Sequence, residues 1–175
     1  EMEQDRRLDG MASTLTGLWM IGNSATMVHL GDSRIIRFRG GKLEQLSKDQ
    51  SPVGKMVLSG ILTEEEARLH PKRNIVNQVV GGSSTELFPD CETFELRNND
   101  IYILCSDGLT DSLDSQIIRK IVNANLSDAV SKMGDSLLEA ALRHDGRDNI
   151  SLAILRIGSE RSHPLAKWWN SLFHP

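Results

Sequence analysis

Two aspartates that adjoin apolar runs are the side chains of this sequence best suited to chemistry. Asp107 follows Ile101–Cys105, a run of apolar and aromatic residues that is too short for a useful helix and typical of a strand buried on both faces. Asp148 precedes Ile150–Ile154, which alternates as a half-buried strand does. If the two strands are antiparallel neighbours, the carboxylates converge at one edge of the sheet. Carboxylate oxygens suit a hard divalent cation such as Mg²⁺ or Mn²⁺, so the pattern favours a metal-dependent hydrolase.

Two further aspartates are weaker candidates when spacing alone is considered. Asp32 lies in the turn Gly31–Arg34 between two predicted strands, where a Gly-Asp pair is ordinary hairpin chemistry. Asp111 follows Asp107 by one helical turn, and aspartate is favoured both in turns and at helix N-termini. Capping of a turn and a helix therefore remains an alternative explanation of Asp107 and Asp111.

The first fifty residues are predicted to form most of the sheet that positions these side chains. Leu15–Ile21 and Ala25–Leu30 are apolar runs separated by a Gly-Asn-Ser turn, which indicates a hairpin. Arg34–Arg39 and Lys42–Leu46 are separated by two glycines and extend the pattern. We therefore expect an antiparallel meander over this part of the chain.

Helices are predicted in an excursion from the sheet and after the central strand. Thr63 and Glu66 form a capping box that opens a short helix, and Pro71 stops it. Two longer amphipathic helices are predicted further on, one capped at 114–115 and one that opens at Ser127. Their apolar faces are expected to form core.

Composition and charge exclude several classes of partner. A length of 175 residues fits one domain, and the net charge of −4 with a pI near 5.7 argues against nucleic acid as a partner. No apolar run approaches the roughly 18 residues that span a bilayer, and the acidic start lacks the features of a signal peptide. Cys91 and Cys105 are not spaced as a metal-binding pair, so we expect reduced thiols and a cytoplasmic protein.

An ordered series of motifs resembles the metal-dependent, type-2C (PPM) serine/threonine protein phosphatases of bacterial type. The motifs are Met11–Leu15, Val28–Arg34, Leu46–Ser51, Gly60–Glu66, Asn74–Val76, Leu104–Asp111 and Gly146–Ser151. Their order and separations make a more specific match than any one of them alone. The resemblance implies an α+β fold in which two antiparallel β-sheets form a sandwich flanked by helices, with a metal cluster at one end.

The resemblance also implies a role for each candidate residue. Asp107 and Asp148 resemble the carboxylates on the catalytic metal pair, and Asp32 resembles the ligand of a third, looser ion. Asp111 and Asn149 resemble residues that orient the ligands or their waters. In such a centre two Mn²⁺ or Mg²⁺ ions, with a third in some members, bind the phosphate and activate the water that attacks phosphorus.

The sequence predicts three parts, of which only the middle one rests on the resemblance. Residues 1–10 form a frayed segment, 11–158 a phosphatase-like domain with a flap at 47–80, and 159–175 a C-terminal tail. Family members carry a phosphate-binding Arg, a Glu-Asp pair and an Asp-Gly-x-Gly-Gly motif ahead of the matched stretch. Here Asp9–Ala12 resembles the last of these only superficially. We therefore expect this chain to be the C-terminal part of the domain, without its first strands and its bridging carboxylate.

The tail is predicted to carry a short amphipathic helix after Pro164. Its apolar stripe consists of Leu165, Trp168, Trp169, Leu172 and Phe173. A helix of two to three turns is marginal alone in water, so we expect the stripe to dock on the chain's own domain or on a partner protein. The single lysine in this stretch disfavours a membrane surface.

Three functions are consistent with the sequence. The first is a phosphatase that hydrolyses phosphoserine or phosphothreonine in a protein substrate. A second is a pseudophosphatase that binds phosphoproteins or metal without turnover, and a third is an acidic interaction module whose aspartates only cap turns. The first is favoured because Asp32, Asp107 and Asp148 are all present, whereas capping alone would accept Asn or Ser at each position.

Overall fold

A computed structural model describes residues 10–82, 86–144, 146 and 148–158 of the chain. The strands are β1 (Ala12–Ser13), β2 (Leu15–Ile21), β3 (Ser24–Leu30), β4 (Arg34–Arg39), β5 (Lys42–Gln45), β6 (Val80–Gly81), β7 (Asp90–Glu95), β8 (Ile101–Cys105) and β9 (Leu152–Arg156). The helices are α1 (Pro52–Leu58), α2 (Glu64–Leu69), α3 (Asp107–Ser112), α4 (Ser115–Ala124) and α5 (Val130–His144). The predicted frayed segment falls almost entirely, and the predicted tail helix entirely, outside the described residues.

The strands pair into two main antiparallel sheets and one short ribbon. One sheet has the order β2-β3-β7, the other has the order β5-β4-β8-β9, and β1 pairs with β6. Together with the helices, these sheets confirm the predicted α+β sandwich. No helix among the described residues is both long enough and apolar enough to cross a bilayer.

The four-stranded sheet is covered on both faces, and β8 lies inside it. On one face Ile101, Ile103 and Cys105 join a core built with helices α3, α4 and α5. On the other face Tyr102 is fully buried and stacks on Phe94 of the three-stranded sheet, with 5.7 Å between ring centroids. Because both faces are dry, every residue of β8 is apolar or aromatic, as predicted.

β8 and β9 are antiparallel neighbours, which was the condition for Asp107 and Asp148 to converge. Their register pairs Cys105 with Leu152, at the end of β8 and the start of β9. A backbone hydrogen bond of 3.0 Å from Ser106 to Ser151 continues the pairing past the last strand residue. The segments that carry the two aspartates therefore leave the sheet at the same edge.

The predicted meander is wrong at one point. β2 and β3 form the predicted hairpin, and β4 and β5 form another, but β3 and β4 belong to different sheets. The turn Gly31–Arg34 is thus a crossing between the two layers of the sandwich and not a hairpin turn. Alternation within each strand cannot reveal this, because both strands bury one face whichever sheet they join.

Other local differences have simple causes. The capping box of α2 is present as predicted, with both Thr63 and Glu66 side chains bonded to backbone N–H groups. Helix α1 was not predicted, although Ser51 caps it. Helix α5 begins at Val130 and not at Ser127, because the chain first makes a turn in which the Asp128 N–H bonds to Asn125.

Candidate metal centre

Asp107 is the first residue of α3, directly beyond the buried strand β8. Its carboxylate accepts a hydrogen bond of 2.9 Å from the N–H of Gly108, while the side chain of the N-cap, Ser106, makes no capping bond. Gly108 is needed here for space, since a Cβ on it would lie 2.6 Å from the carbonyl oxygen of Asn149. This close approach presses the start of α3 against the loop that carries Asp148.

The loop before β9 is tied to the end of β8 by one serine. The Ser106 hydroxyl donates to the carbonyl of Asn149 at 3.2 Å and accepts from the N–H of Ser151 at 3.0 Å. Asp148 is exposed, and its carboxylate accepts a bond of 2.7 Å from the N–H of Asn149. The structure therefore brings the Asp107 and Asp148 segments together, and the ligand and orienting roles of Asp148 and Asn149 stay predictions.

The turn that carries Asp32 is held from two sides. Gln50 bonds to Gly31 twice, through its side-chain oxygen to the N–H at 3.0 Å and through its own N–H to the carbonyl at 2.7 Å. On the other side, the hydroxyls of Thr14 and Ser33 are 2.8 Å apart. Gly31 has a φ of +112°, and a Cβ on it would lie 2.8 Å from Cβ of Thr14. Only glycine fits this crossing without displacing Thr14.

An ion pair fixes the end of the same turn. Arg34 donates to both carboxylate oxygens of Asp49, from Nε at 3.0 Å and from Nη2 at 2.6 Å. This bidentate pair fixes the position of Arg34 at the end of the turn. Asp49 was not singled out from the sequence, because its partner lies 15 residues away and no local spacing links the two.

Asp32, Asp107 and Asp111 line one cavity of about 280 Å³. Burial raises the pKa of Asp32 to about 6, and the negative charges of Asp107 and Asp49 add to the rise. Burial also raises the pKa of Asp111, with Asp107 contributing and the cations Arg34, Arg73 and Arg68 opposing. Carboxylates that repel one another in a partly dry cavity are unfavourable without a counter-ion.

The carboxylates of this cavity are the type of ligand that a hard divalent cation prefers. Carboxylate oxygens are the ligands that Mg²⁺ and Mn²⁺ prefer, and a cation would remove the repulsion between Asp32 and Asp107. Within the part of the chain that the structure describes, however, no three His, Cys, Asp or Glu side chains are grouped closely enough to hold an ion. Asp32 and Asp107 are therefore a partial set, since such ions take about six ligands.

Comparison with protein families gives a match over most of the chain. The model of the family described as protein phosphatase 2C matches residues 1–144. The chain is also 37% identical over 160 residues to the protein phosphatase PhpP of Streptococcus pneumoniae. That alignment covers 91% of this chain and 64% of PhpP, so the chain spans less than two thirds of this relative's length.

Solved structures of bacterial phosphatases share the fold. The serine/threonine phosphatase PstP/Ppp of Mycobacterium tuberculosis superposes with a TM-score of 0.80 at 35% identity, covering 90% of this chain and 65% of that one. The catalytic domain of PstP in complex with two manganese ions superposes with a TM-score of 0.79 at 33% identity, covering 90% and 64%.

The close packing at Gly31 predicts a specific stability loss. Gly31→Ala places a Cβ against Thr14 at a positive φ, so we expect the free energy of unfolding to fall by about 3 kcal/mol. Gly41→Ala is the matched control, since Gly41 also has a positive φ but nothing within 4 Å of its Cβ, and should cost about 1 kcal/mol. Urea unfolding of both variants measures the difference, and equal losses would show that the Thr14 contact is unimportant.

The repulsion between Asp32 and Asp107 predicts a change in titration. In Asp107→Asn one negative charge is removed, so the pKa of Asp32 should fall from about 6 yet stay above its ordinary value, because burial is the larger cause. Carboxyl-carbon NMR in chelator-treated buffer measures it. Asp135→Asn, an exposed change on α5, should leave the titration of Asp32 unaltered. A pKa of Asp32 that Asp107→Asn does not move would show that the two carboxylates do not interact.

Proposed function

Because the chain belongs to the protein phosphatase 2C family, we propose that this protein is a metal-dependent phosphatase that hydrolyses phosphoserine or phosphothreonine in protein substrates. The observation that carries the proposal is the shared cavity of Asp32 and Asp107, at the sheet edge where the Asp148 loop meets the end of β8. Polar groups placed there are held by rigid backbone and still reach solvent.

In this proposal the candidate residues have two roles, metal binding and orientation of the metal ligands. Asp107 and Asp148 hold the catalytic pair of cations, and Asp32 holds a third. Asp111 and Asn149 orient these ligands or their waters. When bound, the cations neutralise phosphate charge and lower the pKa of a water that serves as nucleophile. The two manganese ions in the related PstP structure support Mn²⁺ as the natural cofactor, with Mg²⁺ as the alternative.

The flap, residues 47–80, is proposed to receive the protein substrate. Its helices α1 and α2 supply Val53, Val57 and Arg68 to the cavity that also contains Asp107. A flap beside the reacting group can contact residues that flank the phosphorylated one. The proposed phosphatase-like domain covers residues 11–158, and the tail at 159–175 is proposed to dock on this domain or on a partner. We also propose a cytoplasmic location without nucleic-acid or membrane partners.

A second candidate is a pseudophosphatase that binds phosphoproteins without turnover. The observation in its favour is that the described residues bring no three metal-ligating side chains together. If the described residues supply all the ligands, this chain would bind Mn²⁺ weakly and hydrolyse phosphoester near background. Two tight Mn²⁺ sites in a calorimetric titration of this chain would argue against this candidate.

The proposed role of Asp107 is tested by Asp107→Asn in the complete protein. We expect Mn²⁺-dependent hydrolysis of a phosphoserine peptide to fall more than about a hundredfold, because a lost ligand should cost more than a lost residue that only orients one. The fold should survive, since the change removes a repelling charge and leaves β8 intact. Phosphate release and the thermal unfolding midpoint are measured together.

Asp135→Asn serves as the control for charge and should keep hydrolysis within about twofold of the unchanged protein. Full activity of Asp107→Asn would contradict the assignment of Asp107. Binding of the phosphopeptide without any turnover by the unchanged protein would favour the pseudophosphatase.

A further inference from the structure

The cavity beside the candidate metal centre contains arginines as well as aspartates. Arg34, Arg68 and Arg73 all line it together with Asp107 and Asp111. These cations differ in how far they are already neutralised. That difference decides which of them are available to a ligand.

Arg34 forms an ion pair, whereas Arg68 and Arg73 are not paired with a carboxylate in the residues that the structure describes. The bidentate pair with Asp49 neutralises Arg34. The Arg68 guanidinium donates at 3.3 Å to the carbonyl of Leu113, the C-cap of α3, which is a neutral acceptor. Arg73 forms no ion pair within the described ranges. Two guanidinium groups therefore face the cavity with donors to spare.

Both arginines lie within electrostatic reach of the candidate centre. Their positive charges lower the pKa of Asp111, whereas burial and the negative charge of Asp107 raise it. Glu64 also lines the cavity, and its charge acts on Arg34, but among the described residues it forms no ion pair with Arg68 or Arg73. A ligand that occupies the cavity would meet positive charge from the flap and aspartates from the β8–α3 junction.

Hydrogen bonds hold the backbone on both sides of Arg73. The N–H of Arg73 bonds to the carbonyl of His70 at 3.1 Å, and the N–H of Lys72 bonds to Nδ1 of the same histidine at 3.1 Å. The N–H of Ile75 then bonds to the carbonyl of Lys72 at 3.1 Å. Because this backbone segment is already ordered, it loses less conformational entropy when a ligand binds to Arg73.

We propose that Arg68 and Arg73 bind a second anionic group of the phosphoprotein substrate, distinct from the phosphoryl group that is hydrolysed. The inference rests on the proposed function and adds a substrate preference to it. The guanidinium fork matches a carboxylate and a phosphate equally well, so the second group is either an Asp or Glu side chain or a further phosphorylated residue. Substrates with such a group near the phosphorylated residue are preferred over neutral ones.

The test compares peptides that differ only in the second group. Each carries a non-hydrolysable phosphonate analogue of phosphoserine, followed or preceded within three residues by Gln, by Glu or by a second phosphonate. Dissociation constants are measured by fluorescence anisotropy with the complete protein and Mn²⁺. We expect the second anion to tighten binding about fivefold at low salt, with the gain shrinking at high salt. The larger gain, for Glu or for phosphonate, identifies the source of the anion.

Two variants and one control locate the effect. Arg73→Gln should reduce the gain to less than about twofold, and its fold is safe because no described contact of its side chain is lost. Arg68→Gln should act in the same direction, and an unfolding midpoint checks its bond to Leu113. Arg119→Gln changes the same charge at an exposed site on α4 outside the cavity and should leave the gain intact.

Equal affinity for all three peptides would overturn the inference, as would a gain that neither cavity arginine affects or that Arg119→Gln reduces equally. Hydrolysis of the matching phosphoserine peptide is measured separately. Its absence would count against the proposed function and not against the anion site, since binding of the phosphonates does not require turnover.

Discussion

A strand buried on both faces can place polar groups only at its ends, and the candidate site depends on this constraint. β8 is covered by helices on one side and by the three-stranded sheet on the other. Water reaches the chain again only beyond Cys105, where α3 begins with Asp107. The antiparallel pairing of β8 with β9 then brings the Asp148 loop to the same edge. The two segments can touch because Gly108 has no side chain.

The crossing at Gly31 adds a carboxylate from another layer of the sandwich. Asp32 reaches the cavity of Asp107 because Gly31 packs against Thr14 and because Gln50 and the pair of Arg34 with Asp49 hold the turn. These contacts bury Asp32 beside other carboxylates, and burial, with the negative charges of Asp107 and Asp49 adding to it, raises the pKa of Asp32 to about 6. Packing and hydrogen bonds stabilise an arrangement that electrostatics alone would oppose, as is common where a protein binds a cation.

Local patterns in the sequence predicted the parts of this arrangement that depend on local physics. The apolar run of β8 and the capping box of α2 each involve residues a few positions apart, and both predictions were confirmed. The crossing at Gly31 and the ion pair of Arg34 depend on residues brought together by the fold, which spacing does not reveal. Resemblance to a family supplied Asp32 as a candidate, and the structure adds its neighbours.

In the proposed function the carboxylates at this sheet edge bind a divalent cation together. Paramagnetic broadening of amide NMR signals by substoichiometric Mn²⁺ tests it directly, and works even when affinity is weak. We expect the amides of Gly31, Gly108 and Asn149 to lose intensity first, while those of α4, such as Lys120, are affected last. Broadening that begins elsewhere, or that spares the Gly31 and Gly108 amides, would contradict a shared metal site at this edge.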